Sequence, residues 1–203
     1  MSSLTSSRVT AAVERALDDR QREATEEVER ILAAAVRVME RVAPEPPRVS
    51  DIVAEAGSSN KAFYRYFACK DDVILAVMER GVAIVVSYLQ HQMAKEPTPA
   101  GKVKRWIEGA LAQVADPHLI SMSRAAAGQL SATANVDAEI MQPMRELLTE
   151  PVAALGSADV RRDADVVFQC TAAAMRRYLD STARPGPEDI DHLVRFCLRG
   201  LGA

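Results

Sequence analysis

Five side chains in a short stretch of this 203-residue sequence carry the chemistry that most narrows its function: Asn60, Lys61, Tyr64, Arg65 and Tyr66. They lie between or beside two phenylalanines, Phe63 and Phe67, and no carboxylate occurs from Ser58 to Lys70. Lysine and arginine neutralise phosphates, asparagine pairs with a base edge, and a tyrosine hydroxyl reaches a phosphate oxygen while its ring packs on sugar or a thymine methyl. A face of this kind can approach a polyanion. On spacing alone it also fits the solvated surface of an ordinary helical protein, because short motifs recur by chance.

The surrounding residues supply a frame for that face. Ile52, Val53 and Ala56 form an apolar stripe at helical spacing, Gly57 offers the residue that tolerates a positive φ at a turn, and Phe63 and Phe67 give the next helix an inward side. This predicts a helix-turn-helix within Val49 to Asp72. Upstream, Val28, Ile31, Leu32, Ala35, Met39 and Val42 repeat at three and four, so a backing helix is expected over Ala24 to Val42, with Glu26 and Glu27 at its positive end. Pro44, Pro46 and Pro47 end it.

Asp51-Ile52, Ala56-Gly57, Ser59, Phe63-Tyr64, Phe67 and Lys70, followed by an acidic pair and an apolar helix, resemble the N-terminal DNA-binding signature of the tetracycline-repressor (TetR) family over about Val28 to Val77. The sequence departs from that pattern at Ser58, where valine is usual, at Lys61, and in the proline-rich connector Ala43 to Pro47. Together, residues and resemblance give a DNA-contacting set of Arg48, Ser50, Ser59, Asn60, Lys61, Tyr64, Arg65, Tyr66 and Lys70. Asn60 and Lys61 are assigned to base edges and Tyr64 and Lys70 to phosphates, with Arg65 and Tyr66 open between the two roles and Arg48 and Ser50 adding backbone contacts.

The rest of the chain reads as helical throughout, so the fold class expected is all-α. A fourth helix from Lys70 to about Ala94 is too long and apolar to serve the small head alone, which makes it a mechanical link, and Gly81 midway suggests close packing or a bend. After Glu96-Pro97-Thr98-Pro99, further helices are expected around Trp106 to Val114, from Pro117, around Ile140 to Leu148, over Ala158 to Thr182, and after Pro185-Gly186-Pro187. The expected division is a tail over residues 1–21, floppy or partly helical, a DNA-binding head over 22–70 and a body over 71–203.

Trp106, Met122, Met141, Met144, Phe168 and Met175 are soft apolar candidates for lining a pocket, although such residues are more often plain core. The resemblance implies that the body holds a cavity for a small apolar effector, with Arg124, His118 or Gln129 as anchors for a polar end. It also implies a homodimer through the last two helices, whose heads read an inverted repeat about one DNA turn, roughly 34–36 Å, apart. The function expected is a ligand-responsive regulator, a repressor released from its operator. The alternative is a helical small-molecule binding or adaptor protein without DNA reading, which the departures at Ser58 and Lys61 favour.

Composition bounds the alternatives. Apolar residues make up 48% and charged residues 26%, ordinary for a globular domain, while a net charge of −3 excludes a generally basic nucleic-acid coat and leaves a local reader. Cys69, Cys170 and Cys197 form no paired motif, and His91, His118 and His192 are equally dispersed, so neither a zinc site nor a disulfide framework has the necessary spacing. No nucleophile-and-base motif or phosphate-cradling glycine loop is present, and neither an enzyme nor a cofactor is expected. No apolar run reaches the ~20 residues of a membrane span, and the polar start lacks a signal peptide's apolar stretch, so cytoplasmic residence is expected.

Overall fold

The computed structural model describes residues 3–43, 45–115, 139–179, 181 and 183–203, with side chains from residue 8 onward. All the regular structure among these residues is α-helical. Helix α1 spans Ser3–Val42, α2 Val49–Ala56, α3 Asn60–Tyr66 and α4 Lys70–Met93. The body continues with α5 Pro99–Ala115, α6 Gln142–Glu146, α7 Thr149–Ala154, α8 Val160–Leu179 and α9 Pro187–Gly200.

The backing helix begins much earlier than Ala24. Its C-terminal half buries Ile31, Leu32, Ala34, Ala35, Val38 and Met39 against the head, as the three-and-four spacing predicts. Its N-terminal half carries the same stripe outward through Val9, Val13 and Leu17, which are exposed. Alanine and leucine favour the helical backbone there without a core to pack on. At the other end the chain leaves α1 through Ala43, whose N–H bonds Met39 O at 3.0 Å, and Pro47 is buried where the connector turns into α2.

Two ion-pair clusters fix the head on α1. Glu55 of α2 accepts from Arg37 Nε at 2.7 Å and Arg41 Nη1 at 3.1 Å, clamping α2 across α1. Arg80 of α4 pairs with Glu29, so α4 is tied to the same helix. Ile52, Phe63, Phe67, Val73, Ile74 and Val77 fill the space between.

Helix α4 then runs into the body without a break. A Cβ built on Gly81 meets nothing within 4 Å, so the close packing suggested for that glycine is absent. It occurs on the partner helix instead: a Cβ on Gly109 of α5 would lie 2.5 Å from Leu89 Cδ2 and 3.3 Å from Tyr88 Cε1. The α4–α5 corner is held by Arg105, which donates to Glu96 Oε1 through Nη2 at 2.6 Å and Nε at 3.1 Å.

The helix expected around Ile140 to Leu148 is shorter, α6 starting at Gln142 beside Pro143 and ending at Glu146, and α7 follows it as a separate helix that the apolar spacing does not predict. Pro143 sits in the first turn of α6, where a missing N–H costs nothing, and Pro151 then prevents α6 from continuing because its ring would meet the carbonyl of Leu147. Trp106 of α5, almost fully buried, donates its indole N–H to Met144 O at 3.1 Å and so satisfies a carbonyl near the end of α6. Helices α8 and α9 close the body, α9 starting where the Gly186 N–H bonds the Asp189 carboxylate at 3.1 Å.

Candidate nucleic-acid interface

The site is built by three local decisions in the sequence. Gly57 takes φ +62° after α2, and the N–H groups of Gly57 and Ser58 return to Ala54 O and Val53 O, so the helix ends in a left-handed cap that only glycine adopts at low cost. Ser59 then caps α3, its hydroxyl accepting from the Ala62 N–H at 3.1 Å. Phe63 is fully buried and Phe67 nearly so, their ring centroids 5.6 Å apart, which sets the rotation of α3 about its axis.

With that rotation fixed, Asn60, Lys61, Tyr64 and Arg65 face solvent. Tyr64 is 58% exposed, its ring held edge-on to Phe63 at 5.3 Å, so an aromatic group stands out from the face in a defined orientation. Arg48 and Ser50 are exposed at the start of α2, and Lys70 is half-buried at the start of α4. The Ala68 N–H bonds Asp72 Oδ2 at 2.9 Å, which locks the corner that carries Lys70. Arg48, Ser50, Asn60, Lys61, Tyr64, Arg65 and Lys70 are therefore each exposed or partly exposed on one small unit.

Two members of the expected set do other work. Tyr66 is half-buried and its hydroxyl donates to Glu27 Oε2 at 3.1 Å, so it fastens α3 to α1. Ser59 spends its hydroxyl on the α3 cap. Ser58, a departure from the family pattern, is explained by the same carboxylate: its hydroxyl donates to Glu27 Oε1 at 3.2 Å. Arg65 lies 4.0 Å from Glu27 Oε2, with its guanidinium 5.8 Å from the Tyr66 ring centroid. Glu27 is the residue that sequence reasoning missed. It was read as an acid at a helix start, and instead it ties the turn and both ends of its basic-aromatic stretch together.

In the body, Trp106, Met144 and Phe168 do come together, the Trp106 and Phe168 rings 6.1 Å apart, but all three are buried as close-packed core. Met141 and Met175 are half-buried at its edge. Met122, with His118, Arg124 and Gln129, lies outside the described residues. A groove of about 980 Å³ lies beside this cluster, lined by Arg145, Arg161, Arg162, Glu146, Asp159 and Asp165 among others. Its lining mixes these charged side chains with apolar surface from Val160 and Ala164. Arg145 stacks on Phe168 at 4.6 Å, and its Nε sits 2.9 Å from Asp165 Oδ1 as an ion pair, the N–H not being aimed well enough at the oxygen for a hydrogen bond. Among the described residues no group of acidic, histidine or cysteine side chains is placed to hold a metal ion, and no helix is long and apolar enough to cross a membrane.

Residues 31–77 match the model of bacterial regulatory proteins, tetR family. No curated protein matches the chain. Among solved structures, the fatty acid degradation regulator FadR of Bacillus halodurans is similar over 86% of this chain and 94% of its own, with TM-score 0.67 and 21% identity. FadR of Bacillus subtilis, solved with stearoyl-CoA, covers 85% and 96% at TM-score 0.66 and 18% identity. A TetR-like transcriptional regulator of Rhodococcus sp. RHA1 covers 87% and 96% at TM-score 0.61 and 22% identity. These are likenesses of fold, and they cover most of the chain.

Proposed function

We propose, from the premise that this chain belongs by its head and its fold to the TetR family of DNA-binding transcriptional regulators, that it is a repressor released from an inverted-repeat operator by a small apolar effector. The observation that carries the reading is the outer face of α3, where Asn60, Lys61, Tyr64 and Arg65 stand exposed on a helix held from behind by Phe63, Phe67 and Glu27. In this reading Asn60 and Lys61 reach base edges, Tyr64 and Lys70 bind phosphate, and Arg65 joins whichever strand its reach allows. Arg48 and Ser50 add backbone contacts from α2. The DNA-binding unit is residues 22–70 and the body residues 71–203.

A single seven-residue helix reads only a few base pairs, so discrimination calls for two heads on a two-fold axis. Exposed Val166 on α8 and Phe196 on α9 support pairing of these helices with those of a second copy. Effector binding is assigned to the body near Met141, Met144, Phe168 and Met175, whose flexible or flat side chains can repack around an apolar molecule. The bound molecule shifts α4 and with it the spacing of the heads, provided that it binds the DNA-incompetent state more tightly.

Selection of the purified protein from a random-sequence DNA pool at near-physiological salt tests this, with a Tyr64→Ala, Lys70→Ala double variant in parallel. An inverted repeat enriched by the wild type alone is the expected result. A folded dimer that enriches nothing is a small-molecule binding or adaptor protein instead.

A further inference from the structure

Two of the three cysteines, separated in sequence and lacking any paired motif, meet in the fold. Helices α8 and α9 are antiparallel, and Tyr178 near the end of α8 lies beside the Asp189 carboxylate at the start of α9, which fixes their register. About two turns back along α8 stands Cys170, and about two turns forward along α9 stands Cys197. The same register thus places them opposite one another, as neighbours in the packed seam between the two helices. Both belong to one packed cluster, Cys197 buried inside it and Cys170 half-buried at its margin. The outward face of α8 is formed by Val166, Gln169 and Ala173, all exposed, and Cys170 stands to the side of it towards α9.

We propose that Cys170 and Cys197 form a dithiol site that two-electron oxidants of the peroxide class convert to an intrachain disulfide, stapling α8 to α9. The exposed edge of Cys170 makes it the first sulfur to react. Its thiolate attacks one peroxide oxygen, an S–O bond forms as the O–O bond breaks, and the leaving hydroxide takes up a proton to give water. Cys170 is then a sulfenic acid, oxidised by two electrons, and the peroxide is reduced by two. The Cys197 sulfur attacks the Cys170 sulfur, an S–S bond replaces the S–O bond, and the departing hydroxide leaves as water with the Cys197 proton. Two thiols and one peroxide become one disulfide and two waters. A thiol or dithiol reductant reverses the change.

The roles are ordered by environment. Burial, and then the neighbouring thiol, push the Cys197 thiol up to about 11, so it stays protonated and inert until a sulfenic acid forms beside it. Cys69, exposed at the start of α4 in the head, is far along the chain and is the internal control. This chemistry stands apart from DNA reading and is tested without an operator.

The test uses the full chain carrying Cys69→Ser, exposed to a small excess of hydrogen peroxide, blocked with an alkylating agent, and digested without reduction for mass spectrometry. The expected product is a Cys170–Cys197 linked peptide pair, two hydrogens lighter than the reduced peptides, from protein that still runs as one chain on a non-reducing gel. Dithiothreitol abolishes it. Cys170→Ser and Cys197→Ala each lose the linked product, and in Cys197→Ala the sulfenic acid persists at Cys170 and is captured by dimedone. The proposal is overturned if both thiols stay alkylatable after a peroxide dose that consumes Cys69 in the wild type, or if Cys170 links only to a second chain.

Discussion

Two carboxylates decide how the reading face is held. Glu27 receives the hydroxyls of Ser58 and Tyr66, one before α3 and one at its end, so the helix is fastened at both ends to α1. Tyr66→Phe removes one of these bonds at a half-buried position and should cost about 1 kcal/mol of stability in chemical denaturation, leaving base preference unchanged. Tyr64→Ala, on the outer face, should do the reverse, weakening operator binding while the denaturation midpoint holds. Glu55 carries a second expectation. Hydrogen bonds from Arg37 first, and then Arg41, hold its carboxyl below the ordinary glutamate value of 4.5. A group lowered on folding contributes stability at pH above its unfolded value and loses it as pH falls through the folded one. The thermal midpoint should therefore decline below about pH 4.5, and the decline should be shallower in Glu55→Gln when melts are compared from about pH 6 to about pH 3.5. At this scale the sequence was legible where partners are near in the chain, as in the Gly57 turn and the Ser59 cap. The partner of Tyr66 on α1 was not legible, because nothing in its neighbourhood reveals Glu27.

Helix identity was more legible than helix extent. Spacing of Ile31, Ala35, Val38 and Val42 is visible as a stripe because a core selects it, while the half of α1 before Ala24 has no such partner in the chain and reads as a weakly patterned tail. Periodicity carried α6 on to Leu148 although the helix ends at Glu146, since the apolar stripe continues where the hydrogen-bond ladder does not, and it gave no sign of α7. Neither glycine could be weighed from sequence, because the space around each depends on a different helix. Gly81 has room, whereas Gly109 lets α5 approach fully buried Leu89 of α4. Gly109→Ala gains helix propensity but should lose about 1–3 kcal/mol from overpacking, seen as a lower denaturation midpoint, while Gly81→Ala should raise it. If the two variants behaved alike, the tight α4–α5 contact would not be the limiting feature of this joint.

For the whole molecule, an overall charge of −3 coexists with a stretch from Ser58 to Lys70 that holds no carboxylate, a separation that composition hides and only placement reveals. The all-α class and the order of head before body were visible in the pattern. Of the residues expected to line a pocket, Trp106, Met144 and Phe168 cluster in the core of the described residues, a meeting that depends on how three helices pack and not on local spacing. Phe196 is 62% exposed on α9. If α8 and α9 pair with a second copy as proposed, Phe196→Glu should shift the protein from dimer to monomer by sedimentation, and operator affinity should fall at least about tenfold, because one head alone forfeits the second half-site.

One consequence follows from the way α4 passes α1. The helix is a rod of about 36 Å with no loop along it, and the Arg80–Glu29 pair pins it near its middle, about 15 Å from the Lys70 end and about 20 Å from the Met93 end. A rod pinned so is a lever with its fulcrum between load and effort. If an effector moves the body end as proposed, the Lys70 end goes the opposite way by about three-quarters of the distance, so the head is driven in reverse and without amplification.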